Sequence, residues 1–210
     1  MLRVLKHYPT LLKGIQMKLH HIALAAIAAA TIGTQAQAAV FNGATTAGGN
    51  TVTEYTLGSD LSFDVDLLSK APVTLNFTLE SSDFSGDALT FSALVRNLTA
   101  LGLDGVNVKL SGITFAGAGT IATDGFAVVG ASGNSSTSAW ASFTPGLTTE
   151  FYTGNPLGNP GQLNWTLNLD GLHAGNQFSV TVAVPEAETY AMVVAGLAVM
   201  GLAMRRRHKA

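Results

Sequence analysis

Leu61-Ser62-Phe63-Asp64-Val65-Asp66-Leu67 and Val73-Thr74-Leu75-Asn76-Phe77-Thr78-Leu79-Glu80 decide the fold. In both, apolar and polar residues alternate without a break. A β-strand would put every apolar side chain of such a run on one face, whereas a helix would scatter them around its circumference. The same period of two recurs in Val106 to Leu110, in Leu163 to Leu169 and in Phe178 to Val184. Less regular apolar runs at 51–57, 88–97, 119–129, 137–144 and 147–153 bring the expected strands to about ten. Between them stand Ser81-Ser82-Asp83, Asp104-Gly105, Asp124-Gly125, Gly130 to Ser136, Gly154-Asn155-Pro156 and Asp170-Gly171, all turn chemistry. No stretch from 39 to 184 keeps a helical period. The pattern predicts an all-β domain over 50–184, a β-sandwich or jelly-roll-like fold, after a flexible lead-in at 39–49. The last two strands, 161–169 and 176–184, are expected to pair as a hairpin through Asp170 to Gly175.

Composition narrows the function classes. Between residues 39 and 184 the basic residues are Lys70, Arg96 and Lys109, against eleven acidic ones, a formal charge of −8. That balance argues against nucleic acid and anionic lipid as partners and is compatible with divalent cations. The chain has no cysteine. Disulfides are therefore excluded, and the domain must rest on a hydrophobic core, for which it is long enough.

The two ends read as targeting segments. Met17-Lys18-Leu19-His20-His21 is a short basic n-region, Ile22 to Ile32 an apolar h-region, and Ala36-Gln37-Ala38 a small-residue cleavage site. Residues 17–38 thus read as a secretory signal peptide, and the mature chain is expected to begin at Ala39. Residues 1–16, with Arg3, Lys6 and Lys13, either lengthen the n-region or precede the true start at Met17. At the other end, Ala191 to Met204 carries no charge. As a helix at ~1.5 Å per residue this run is roughly 21 Å long, short of the ~30 Å hydrocarbon core. Tyr190 at one interface and snorkelling Arg205, Arg206 and Arg207 at the other extend it. Residues 190–204 are therefore expected to form a transmembrane helix, and the arginines place its C-terminal end in the cytoplasm.

The order Val184-Pro185-Glu186-Ala187, a Thr189-Tyr190-Ala191 step, a Gly-Leu-rich apolar run and terminal arginines resembles a PEP-CTERM sorting signal. The resemblance covers about residues 184 to 207. The usual tag is Pro-Glu-Pro, and Ala187 stands here in its third place. The resemblance implies recognition by an exosortase, a membrane-embedded cysteine transpeptidase-like enzyme that cleaves near the tag and releases or transfers the ectodomain. It also implies a Gram-negative host that makes exopolysaccharide. The implied partners are the Sec translocon, the exosortase, the membrane and, outside the cell, exopolysaccharide.

Chemistry-bearing residues in the domain are few. His173 is its single histidine, and no G-x-S-x-G elbow supplies a nucleophile, so it reads as a solvated turn residue. One histidine and no cysteine exclude a zinc site. Asp64 and Asp66 share one strand face, as a cation or carboxylate pair or as a charged face that discourages edge pairing. Asp83 and Asp87, in Asp83-Phe84-Ser85-Gly86-Asp87, are the candidate calcium ligands; the loop lacks EF-hand spacing and reads first as an ordinary Asx-rich turn. Trp140, Trp165 and Tyr152 are the aromatics for a sugar-stacking platform. Trp165 alternates with leucines and belongs to the core, which leaves Trp140 as the candidate glycan contact, with a core role as the plain alternative. No cofactor is expected beyond calcium, and no catalytic set is visible.

The expectation is an exported, tail-anchored, non-enzymatic surface or matrix protein associated with exopolysaccharide or biofilm. A carbohydrate-binding module is the alternative. A polysaccharide hydrolase, which would need two acids facing each other across a groove, comes last.

Overall fold

A computed structural model describes residues 39–125, 127–146 and 148–185. The expected cleavage residues Ala36 and Ala38, the tag residues Glu186 and Ala187, the helix 190–204 and Arg205 to Arg207 lie outside the described residues. The described chain is all-β. Its strands are β1 (Val40–Thr45), β2 (Thr51–Glu54), β3 (Asp60–Leu67), β4 (Val73–Thr78), β5 (Thr90–Asn97), β6 (Gly105–Ser111) and β7 (Thr114–Gly117). They continue with β8 (Ile121–Thr123), β9 (Val128–Asn134), β10 (Ser138–Thr144), β11 (Glu150–Thr153), β12 (Trp165–Asn168) and β13 (Gln177–Ala183). One 3₁₀ turn, Ser81–Phe84, is the only helical element among the described residues.

Two sheets share one core. The six-stranded sheet runs β1-β4-β13-β6-β10-β9, and every pair in it is antiparallel. The seven-stranded sheet runs β2-β3-β5-β11-β8, with β12 joined to β5 and β7. β3 and β5 are parallel in register from Asp60↔Thr90 to Leu67↔Asn97. Parallel neighbours need a crossover, and the chain supplies it by returning through β4 in the opposite sheet. Strict alternation makes this possible. β3 and β4 bury Leu61, Phe63, Val65 and Leu67, and Val73, Leu75 and Phe77, while their polar residues face outward.

Phenylalanines tie the sheets together. Phe63 of the seven-stranded sheet lies 5.0 Å from Phe41 and 5.6 Å from Phe77 of the other, ring centre to ring centre. Phe77 stacks on Phe178 at 4.8 Å, and Phe63 lies 6.4 Å from Phe91. Burying a side chain of this size contributes roughly 1.5–3 kcal/mol.

Four expectations need correction. The lead-in at 39–49 contains β1, whose Phe41 and Ala44 pack against the core. A bulge between Phe41 and Ala44, with Gly43 at φ 100°, interrupts the alternation and hides the strand in the sequence. The run 119–129 splits into β8 and the start of β9, and Gly130 to Asn134 continue β9 rather than turn. β7 was not expected at all. Finally, 161–169 and 176–184 are not a hairpin. β12 belongs to the seven-stranded sheet and β13 to the six-stranded one, so Asp170 to Gly175 lie in a connection that crosses between sheets.

Candidate functional site

Three of the four acidic candidates, Asp64, Asp66 and Asp83, are occupied by their own fold. Asp64 and Asp66 do share the outer face of β3, but β3 lies between β2 and β5 and is not an edge. Arg96, beside them on β5, donates from Nε to Asp66 Oδ1 at 2.5 Å and sets its Nη2 3.6 Å from Asp64 Oδ2. That hydrogen bond, with the charges of both aspartates, holds the guanidinium above its ordinary value. Asp83 accepts the backbone N–H of Glu80 at 2.7 Å and closes a reciprocal cap on the 3₁₀ turn. Burial pushes the Asp83 carboxyl up, against the N–H groups of Glu80 and Ala39. Asp87 is exposed in the following loop. Among the described residues no three His, Cys, Asp or Glu side chains gather where they could hold a metal ion.

His173 is exposed, and its backbone N–H donates to Asn176 Oδ1 at 2.8 Å. The three aromatics do not form one platform. Tyr152 is on the seven-stranded sheet, where its phenol donates to Glu150 Oε1. Trp165 is 3% exposed and packs 4.8 Å from Phe115. Trp140 is 44% exposed on the outer face of β10, between the buried Ala139 and Ala141. Its indole lies over β9, where a Cβ on Gly133 would come 3.0 Å from Nε1. The glycine that reads as a turn residue thus makes room for the ring.

Trp140 borders a hollow of about 600 Å³ with Asp104, Asn107, Ser142 and Pro185. A second hollow on the same sheet face, about 430 Å³, is bordered by Asn42, Asn76, Ser111, Gln177 and Ser179. No sequence signal marks either, because each gathers residues from strands far apart in the chain.

At the C-terminal end, Val184 is buried at 6% exposure and Pro185 reaches the rim of the Trp140 hollow. At the N-terminal end, Ala39 is 1% exposed. Among the described residues no helix is long and apolar enough to cross a membrane. No family model, curated protein or solved structure matches this chain.

Proposed function

We propose that the chain is an exported surface or matrix protein of a Gram-negative bacterium, held by its tail, sorted and processed by an exosortase-like membrane enzyme, and left in the exopolysaccharide layer. Residues 17–38 serve as the signal peptide, and residues 190–204 as the membrane helix. The observation that carries this reading is the junction at Val184-Pro185. The tag starts one residue after the last buried side chain of the domain. A cut at or beyond Pro185 leaves β13 in its place between β4 and β6, so the released domain keeps its whole core. The domain itself is read as non-enzymatic. Asp64, Asp66 and Asp83 are committed to Arg96 and to backbone N–H groups, and His173 lies in a loop between the two sheets.

Intact mass measured on membrane and extracellular fractions of the native host tests this. The expected extracellular species begins at Ala39 and ends near Pro185. A chain that keeps Arg205 to Arg207 in the membrane and never appears outside overturns the processing step. Deleting residues 185–210 should redistribute the ectodomain, and an unchanged distribution removes the sorting role.

A second reading, glycan binding by the domain, is favoured by the exposed indole of Trp140 beside the hollow. Indole faces stack well on the apolar faces of sugar rings, and this one is partly exposed at the rim of a hollow lined by polar side chains. Retention on matrix polysaccharide that falls on Trp140→Ala supports it; retention unchanged by that substitution removes it.

A further inference from the structure

The outer faces of the two sheets differ in chemistry. On the seven-stranded sheet, Asp60, Asp64, Asp66, Arg96 and Glu150 stand among the outward positions of β3, β5 and β11. On the six-stranded sheet the outward positions of β4, β13, β6 and β10 are almost all hydroxyls and amides, and Lys109 is their one charge.

Part of that polar face is stitched internally. Thr74 and Thr181 share a hydrogen bond of 2.9 Å, and Asn42 Nδ2 donates to Thr78 Oγ1 at 2.7 Å. Asn107, Ser111, Gln177 and Ser179 make no side-chain hydrogen bond to other described residues. They lie at the two hollows. Asn107 faces Trp140 directly across the β6–β10 pair, while Ser111, Gln177 and Ser179 border the other hollow. Asn107 pairs with Ala183 and Ser111 with Ser179, so the two sets stand four residues apart, about 13 Å along the strands at ~3.3 Å per residue.

From this arrangement we infer that the outer face of the six-stranded sheet binds an extended, uncharged glycan chain. One ring stacks on Trp140, and rings further along reach Gln177 and Ser179. The inference rests on the glycan-binding reading and adds to it the class of chain and its path. Neutrality follows from charge. The face offers hydroxyl and amide partners to sugar hydroxyls, but only Lys109 to an acidic sugar, and Asp104 at the Trp140 rim repels one. Extension follows from the two sets of free polar groups, which a single ring cannot reach together.

The test is affinity electrophoresis of the purified full chain through gels holding neutral glucan, mannan or galactan, or anionic alginate or polygalacturonate. Calorimetry follows, with short and long oligomers of whichever polymer retards it. Binding to a neutral polymer is expected, about tenfold weaker in Trp140→Ala and largely restored in Trp140→Phe. The double variant Gln177→Ala/Ser179→Ala should weaken long oligomers several-fold and leave short ones unchanged. Unchanged circular dichroism shows that each variant is folded. If no polymer of either kind retards the chain, the glycan-binding reading falls and this inference with it. If anionic polymers bind as tightly as neutral ones, or long oligomers bind no better than short ones, the inference is overturned while glycan binding stands.

Discussion

The carboxylate of Asp83 accepts the backbone N–H of Glu80 at 2.7 Å and lies near enough to that of Ala39 for it to lower the carboxyl's pKa. Ala39 is buried at 1% exposure, so the start of the described chain lies beside the 3₁₀ turn. It is also the residue at which signal-peptide cleavage is expected to leave a new amino terminus. The N–H beside that carboxylate would there become an α-ammonium.

Cleavage should therefore change how stability depends on pH. In the uncleaved chain the Asp83 carboxyl is held above its ordinary 3.8, chiefly by burial. Its contribution is fullest below 3.8 and declines as pH rises through the raised folded value. After cleavage the adjacent ammonium favours the carboxylate, and the pair stabilises the fold between the two pKa values. That contribution is lost as pH falls through the carboxyl's value or rises through the amine's. Melting curves of cleaved and uncleaved protein should separate around pH 5–8, the cleaved form gaining about 1 kcal/mol. Asp83→Asn should remove most of the difference, and curves that coincide across pH would show that the terminus is not held there.

Arg96 acts as a clip between two strands. It bonds Asp66 on β3 and stands close enough to Asp64 to offset a second carboxylate on the same face. Arg96→Gln leaves those two charges facing each other unrelieved. The three side chains are partly exposed, so the expected loss in chemical denaturation is small, about 1 kcal/mol at low salt, and shrinks at 1 M salt. A loss that does not change with salt would mean that Arg96 works through the packing of its aliphatic stem instead.

Asn50 holds a turn that no sequence pattern announces. It is buried; its Nδ2 donates to Ala71 O at 2.8 Å, and its Oδ1 accepts the N–H groups of Leu68 and Ser69 at 2.9 Å each. Asn50→Ala strands all three backbone groups at the β3–β4 turn. Unfolding free energy should drop by about 2–3 kcal/mol, with the largest loss of amide protection at 68–71. Uniform loss of protection would point to a general effect on β2 instead.

Strands with a neighbour on each side and one buried face were the legible ones. β3, β4 and β13 keep their period of two because each inward residue meets the core and each outward one meets water. Edges were less legible: β2 and β8 read only as irregular runs. β1 carries a bulge at Gly43; β7 is four residues long; and β9 is glycine-rich, in part because Gly133 lies under the Trp140 indole. Alternation also tells which way a side chain faces but not which sheet its strand joins, so β12 and β13 read as partners. Trp140 could be found because it stands between two alanines on a strand. The face of hydroxyls and amides around it could not, since it exists only once β4, β13, β6 and β10 are set side by side.

The Tyr152 phenol donates to Glu150 Oε1, two residues earlier on β11 and on the same face. That hydrogen bond, then burial, then the charges of Glu150 and Asp124, push the phenol up to about 12. The acceptor must stay ionised for this, so the effect belongs to neutral and alkaline pH. Ultraviolet titration of the folded chain should show a tyrosine ionising near 12. Glu150→Gln keeps an acceptor but removes the charge, and should bring that transition back toward the ordinary ~10. Because the folded value lies above the unfolded one, the stability this contact contributes is complete below pH 10. It is lost as pH rises from there through about 12, when the unfolded chain releases the proton more readily than the folded one. Melting temperature in the wild-type chain should therefore fall more steeply over that window than in Tyr152→Phe. Equal slopes in the two proteins would show that Glu150 and Tyr152 are not bonded in solution.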